Sequence, residues 1–255
     1  MAGTAEERRD KITEIIRKEG SVRVRELARL FNTSEVTIRG DLETLEAGGQ
    51  CRRNHGGAVG LDKLYIDMDI TERYMSNSAQ KKAIAEAISR IIDDNDTLLL
   101  NAGTTLTYVL RALRDKKNIS IITNSIANAA EAASYQNMSV ILLGGQIDSK
   151  YQFTYGADAV SQLLRYHTVK SILSVDGIDP LSGLTLYYSS EAELVRAMIE
   201  NSETVIIAAD SSKLGRSTFA KIAPVTSADM IVTNHTENTE LLDKLNLMGI
   251  KIIDI

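Results

Sequence analysis

Seven short apolar runs separated by helical patterns constrain this chain more than any other feature in it. From Lys81 onward, Thr97–Leu100, Ile119–Ile122, Val140–Leu143, Ser171–Val175, Val205–Ala209, Met230–Val232 and Lys251–Ile255 read as strands. Between several of them, apolar residues recur at helical spacing over Lys81–Ile92, Leu106–Leu113, Ile126–Ala133, Ala157–Leu164, Glu191–Glu200 and Glu240–Leu247. Repeated strand–helix alternation predicts an α/β domain, a Rossmann-like and largely parallel sheet covered on both faces.

The first 60 residues have a different texture. Glu6 to Glu19 carries Ile12, Ile15 and Ile16 at helical spacing before Gly20, a helix terminator. Val24 to Phe31 predicts a second short helix, and Thr33–Leu45 a third, with Thr33 and Ser34 placed to cap it. In that third helix Ile38, Leu42 and Leu45 share one apolar face, Val36, Gly40, Glu43 and Thr44 lie opposite, and Thr37 and Arg39 flank them. Two short helices across a tight break form a helix-turn-helix pattern. Gly48 and Gly49 end the third helix, and Gln50–His55, closed by Gly56 and Gly57, reads as a basic hairpin, so the unit predicts a winged helix. Arg39 has Asp41 and Glu43 within reach as partners, and Asp41, near the apolar face, is expected to brace the helix against a neighbouring arginine.

Charge tempers a nucleic-acid reading. The formal net charge is −5. Residues 1–60 hold 11 Lys and Arg against 10 Asp and Glu, and the remainder 18 against 24. DNA binding must therefore depend on where the arginines sit. No early apolar run resembles a signal peptide and no stretch approaches the roughly 18 apolar residues of a membrane span, so a cytoplasmic protein is expected. One cysteine, Cys51, excludes an intrachain disulfide and a cysteine-cluster metal site. His55, His167 and His235 stand in no ligand-like spacing, and there is neither a P-loop nor a Gly-x-Ser-x-Gly elbow. No catalytic residue, metal or cofactor is assigned.

Ligands of open α/β sheets bind beyond the carboxyl ends of the strands. The residues found there are Asn101 with Gly103-Thr104-Thr105, Thr123-Asn124-Ser125, Gly144-Gly145, Asp176-Gly177 and Asp210-Ser211-Ser212-Lys213. Glycine lets a backbone approach a ligand, and a helix N-terminus offers free N–H groups to an anion. Each piece also has a plain structural reading. Gly103-Thr104-Thr105 caps a helix, Gly144-Gly145 makes a turn, and Ser190 with Glu193 has capping-box spacing. Glu191 opposes the helix dipole, and Lys213 is a solvated lysine. Recurrence at successive strand ends favours a polyol phosphate site.

These residues resemble the DeoR-type bacterial transcriptional regulators. Arg8, Ile12 and Ile16, then Ser34, Thr37, Ile38, Arg39, Asp41 and Leu42, look like that family's signature. The second part is similar to its sensor domain, which belongs with the ribose-5-phosphate isomerase and CoA-transferase superfamily. The counterparts are NAGTT (101–105), TNS (123–125), GG (144–145), DGID (176–179), the EAE–RAM run (191–198) and DSSKLGRS (210–217). The resemblance covers nearly the whole chain. It implies a sugar-operon regulator, commonly a repressor, released by a phosphorylated sugar, and a dimer or higher homo-oligomer. The family usually has Asp at the place of Asn101, and Lys, Arg, Asn or Ala at that of Gly40.

The expected organisation is a winged helix-turn-helix over 1–59, a linker over 60–79 and an α/β effector-sensing domain over 80–255. Ser34, Thr37, Arg39 and Gly40, with Arg52, Arg53 and His55 on the wing, are expected to meet a double-stranded DNA operator. Gly103, Thr104 and Thr105 are expected to cradle the phosphate. Asn101, Asn124, Ser125, Gly144, Gly145, Asp176, Gly177, Glu191, Asp210 and Lys213 are expected to line the sugar. The linker would carry a change in the sensor to paired DNA domains. Two alternatives stand beside this. One is a sugar-phosphate isomerase or deaminase with an appended helical domain, Asp176 or Glu191 acting as base and Lys213 as an electrostatic stabiliser. The other is a helical protein-interaction module.

Overall fold

Thr4 starts the first helix by a reciprocal cap: its side chain accepts from the Glu7 amide while the Glu7 carboxylate accepts from the Thr4 amide. That helix, α1 (Ala5–Glu19), ends at Gly20, which is left-handed at φ 74°. The computed structural model describes residues 4–48, 50–60 and 67–255, and two units divide after Met68.

In the first unit, β1 (Ser21–Arg23) leads into α2 (Val24–Leu30) and α3 (Glu35–Ala47). The hairpin β2 (Cys51–Asn54) and β3 (Gly57–Gly60) follows, and β1 adds to it antiparallel on the β3 side. The three residues of β1 are too few for a periodic signal, so the wing has a strand that the sequence pattern does not announce. Gly57 permits the pairing, because a Cβ there would stand 1.8 Å from the Val22 carbonyl oxygen. Ile12, Ile16, Leu27, Ile38, Leu42, Leu45 and Cys51 close one small core. Gly48 ends α3 as expected, while Gly49 lies outside the described residues.

The second unit begins earlier than the expected boundary at residue 80. Of the expected linker, residues 61–66 lie outside the described residues. From Asp69 the chain is built into the second unit. Asp69 and Glu72 form a capping box that starts α4 (Ile70–Met75), and Tyr74 stacks on Tyr108 with ring centroids 4.8 Å apart. The helix α5 (Ser78–Ser89) follows.

All seven expected strands are present as one parallel sheet. They are β4 (Thr97–Leu100), β5 (Ile119–Thr123), β6 (Met138–Leu142), β9 (Thr168–Leu173), β12 (Ser202–Ala208), β14 (Met230–Thr233) and β15 (Lys251–Asp254). Their order is β15-β14-β12-β9-β4-β5-β6. The helices α6 (Thr104–Ala112), α7 (Ile126–Ala133), α8 (Ala157–Leu163), α9 (Ser189–Glu200) and α10 (Thr239–Leu247) complete the layers. Residue alternation divides the core between the two faces: Leu98, Leu100, Ile172 and Ile206 pack in one cluster and Leu99, Leu173 and Ile207 in the other.

Two small additions sit outside the alternation. One is the hairpin β7 (Gln146–Asp148) and β8 (Phe153–Tyr155), and the other an antiparallel sheet of β10 (Gly177–Asp179), β11 (Gly183–Leu186) and β13 (Ala220–Ala223). One capping expectation is corrected. The helix α9 is capped at Tyr188 without a side-chain bond, so Ser190 and Glu193 form no capping box. Tyr188 packs on Tyr151 with centroids 4.5 Å apart, and the helix starts there, two residues ahead of Ser190.

Candidate DNA-reading face and effector site

In the first unit, Ser34 caps α3 by accepting from the Thr37 amide at 3.1 Å, and the two hydroxyls lie 2.9 Å apart. Ile38, Asp41, Leu42 and Leu45 turn inward. Asp41 is braced as expected: Arg8 donates to both of its oxygens, at 2.6 and 3.0 Å. Arg39 lies 3.7 Å from Glu35, one turn back, and not against Asp41 or Glu43. Arg25 approaches the same Glu35 at 3.5 Å. Gly40 is open, with no heavy atom within 4 Å of a Cβ built there.

On the wing, Arg52 and His55 are exposed. Arg53 is engaged with α3, its guanidinium donating to Glu43 at 2.5 Å and its amide to Glu46 at 2.8 Å. Arg53 therefore fixes the wing to the helix, leaving Arg52 as the arginine of the hairpin turned to solvent.

In the second unit the strand order reverses between β4 and β9, the switch point where open sheets bind ligands. Asn101 follows β4 and is fully buried. Its amide donates to the Ser174 carbonyl at 3.0 Å and accepts from the Ser174 amide at 2.8 Å. Gly103 packs against the same residue, since a Cβ there would lie 2.6 Å from Ser174 Cβ. Glu191, buried on α9, gathers two neighbouring strand ends by accepting from the Ala102 amide and from Asn124 Nδ2, each at 3.1 Å. Burial pushes its carboxyl up to about 7, against the lowering effect of those two donors. Asn124 Nδ2 also donates to the Thr154 carbonyl at 3.1 Å, while its buried Oδ1 has no partner among the described residues. Asp176 accepts from the Tyr187 amide and Asp210 from the Ser212 amide, both at 3.0 Å. Lys213 is buried and not a solvated lysine.

Two cations that strand-end reasoning does not reach complete the cluster. Lys81 on α5 is buried, and its amine donates to the Arg73 carbonyl of α4. Burial lowers its pKa to about 8, with Asp210 opposing that effect and Lys213 and Arg73 adding to it. The Arg73 guanidinium lies 4.2 Å from the Tyr151 ring centroid. Lys81 could have been suspected from its place on the stripe with Ile84, Ala85 and Ile88. Arg73 carries no such signal.

Thr104 donates to the Arg73 carbonyl at 3.4 Å, and Thr105 is buried beside it. A cleft of about 420 Å³ runs along Gly103, Thr104, Ser125 and Asn128 under Tyr74 and Tyr151. Ser125 caps α7 at the cleft. The remaining glycines serve packing. Gly144 donates to Gln162, and Cβ atoms at Gly145 and Gly177 would meet the Tyr155 carbonyl and Thr185 Oγ1 at 2.5 Å. No group of His, Cys, Asp and Glu suited to a metal occurs among the described residues, nor any helix long and apolar enough to cross a membrane.

Residues 8–63 match the DeoR-like helix-turn-helix domain and residues 76–235 the DeoR C terminal sensor domain. The chain is 37% identical over 228 residues to the HTH-type transcriptional regulator YulB of Bacillus subtilis, covering 89% of this chain and 88% of that protein. It is 33% identical over 237 residues to the transcriptional repressor AccR of Agrobacterium fabrum, covering 92% of each. The full-length sorbitol operon regulator SorC from Klebsiella pneumoniae aligns with a TM-score of 0.42 at 12% identity, over 92% of this chain and 97% of that one.

Proposed function

The chain belongs to the DeoR family of DNA-binding transcriptional regulators, and on that premise we propose that it represses a carbohydrate-utilisation operon and is controlled by a phosphorylated sugar. It is a regulator and not an enzyme. The sugar phosphate sits at the β4–β9 switch point, with its phosphate at Gly103–Thr105 and the neighbouring cations. The observation that carries this reading is the burial of Lys81 with two further buried cations, Arg73 and Lys213, and the carboxylate of Asp210 near enough to act on it. Burial is the main cause of the lowered Lys81 pKa and the cations Lys213 and Arg73 add to it; a bound dianion favours the charged amine and relieves that opposition. Asp176, Glu191 and Asn124 Oδ1, which has no partner among the described residues, are acceptors for sugar hydroxyls.

The protein works in the cytoplasm as a homo-oligomer whose paired readers span two half-sites. Segment 60–79 couples the units, and the ligand shifts DNA affinity only by its differential affinity for two arrangements.

Thermal unfolding with a panel of sugar phosphates, their parent sugars and inorganic phosphate tests the effector. A phosphorylated sugar at 100 times its dissociation constant stabilises the sensor by about 2.7 kcal/mol. Lys81→Met abolishes that response, read as the shift between the liganded and unliganded melts of the same variant. Equal shifts from parent sugars would sink the phosphate assignment.

A further inference from the structure

The outer face of α3 carries one apolar side chain of any size, and it is bare. Val36 is 79% exposed, and it stands in the first turn of the helix, the part that meets base edges in helix-turn-helix docking. Winding α3 at about 100° per residue puts Val36 nearly opposite the buried Ile38 and about 40° from Gly40, one turn on. Because Gly40 adds no side chain and has open space around it, nothing shields Val36 from a surface laid along that face. The nearest charges bracket it: Arg39 and Arg25 stand on Glu35, and Arg25 is 82% exposed. An apolar spot among arginines fits a polyanion that also offers an apolar group. In the major groove that group is the thymine 5-methyl.

We propose that Val36 is a specificity-determining residue that packs on a thymine methyl in each operator half-site, with Gly40 leaving the backbone close enough for the contact. The inference rests on α3 being the reading helix. Specificity at that position comes from burying a methyl and a valine together, with no hydrogen bond involved. Neighbouring Thr37 and Arg39 retain the polar and phosphate contacts, so the valine contributes discrimination without adding to the salt dependence.

Selection of bound duplexes from a randomised pool by the full chain supplies the site, and replacing its thymines one at a time with deoxyuracil removes only the methyl. At one thymine per half-site, deoxyuracil weakens binding about four-fold, the weight of one buried methyl-sized group. Val36→Ala, a change that favours helix, binds about as weakly to the thymine duplex and loses most of the discrimination between thymine and deoxyuracil. Its salt dependence matches the parent protein's. A selected site indifferent to deoxyuracil throughout, or a penalty that persists unchanged in Val36→Ala, would overturn the proposal alone. If no duplex is enriched, the DNA-reading assignment of α3 falls and the proposal with it.

Discussion

The two units handle charge in opposite ways. In the first, Asp41 is the one charged side chain buried among the described residues, and Arg8 answers it with two hydrogen bonds. Two of its other acids, Glu35 and Glu43, lie near the surface against arginines of α2, α3 and the wing. The second unit buries Arg73, Lys81, Asp96, Asp176, Glu191, Asp210 and Lys213. Of these, Asp96 is matched by Lys170 at 2.6 Å ahead of β4, while the others gather toward the opposite strand ends. Surface pairs are screened by salt, whereas buried groups respond to protons and to ligands. Salt should therefore govern the reader, and pH and effector the sensor.

The strongest way to break that comparison is at Gly57. An alanine Cβ placed 1.8 Å from the Val22 carbonyl oxygen forces β1 off β3, costing more than about 4 kcal/mol. Gly57→Ala should lose all retardation of operator DNA in a mobility-shift assay yet keep its thermal response to sugar phosphates. Loss of both responses would show that the two cores are not independent.

The pH contrast is the next largest. Glu191 holds its proton up to about 7 in the folded sensor, against an ordinary 4.5. Between those values the folded unit binds a proton that the unfolded chain has released, so this group's contribution to stability falls as pH rises from 4.5 to 7 and is level above. Lys81 acts in the other window. Lowered from 10.5 to about 8, it lets stability recover as pH climbs between those values. Urea unfolding of the sensor should therefore pass through a minimum near neutrality. Replacing Glu191 by Gln should narrow the difference between pH 4 and pH 7.5 by about 3 kcal/mol. Parallel pH curves for the parent and Glu191→Gln would refute a buried, protonated carboxyl.

The smallest effect sharpens the reader's side. Arg52→Ala should weaken binding to every duplex alike by a few-fold and reduce the salt slope by about one. Arg53→Ala should change that slope less, since its charge already rests on Glu43. Equal slope changes in the two variants would mean that Arg53 leaves Glu43 for a phosphate.

The main sheet was legible because parallel strands buried on both faces read as unbroken apolar runs. Thr97–Leu100 and Met230–Thr233 are examples. Strands of three or four residues such as β1, β7 and β10 carry too few positions for alternation to show. The strand-end rule pointed to Asn101, Asn124, Asp176, Asp210 and Lys213, because topology alone brings such ends together, whereas Glu191, on a helix, entered through the family resemblance. It gave their neighbourhood but not their partners. Lys81 and Arg73 come from helices ahead of the first strand of the main sheet, and their burial is set by tertiary packing that local pattern does not encode. The Ser190–Glu193 spacing failed for a related reason, since the chain enters α9 where Tyr188 rests on Tyr151.

Asn101 carries one more consequence, which concerns stiffness. With donor and acceptor both engaged by the Ser174 backbone, its side chain acts as an extra rung of the β4–β9 ladder just beyond the last paired residues. Aspartate, having no donor, could not close both bonds. The floor of the site is thus continuous with the sheet and as rigid as the sheet. Its cover lies outside the sheet: α4 is a helix of 6 residues whose Arg73 carbonyl accepts from Lys81 and Thr104, and the Arg73 guanidinium lies on Tyr151 in the loop between β7 and β8. A ligand entering between the sheet and this short helix is expected to move the helix. The displacement on binding should therefore be concentrated in α4 and the Tyr151 loop, while the strands beneath stay still.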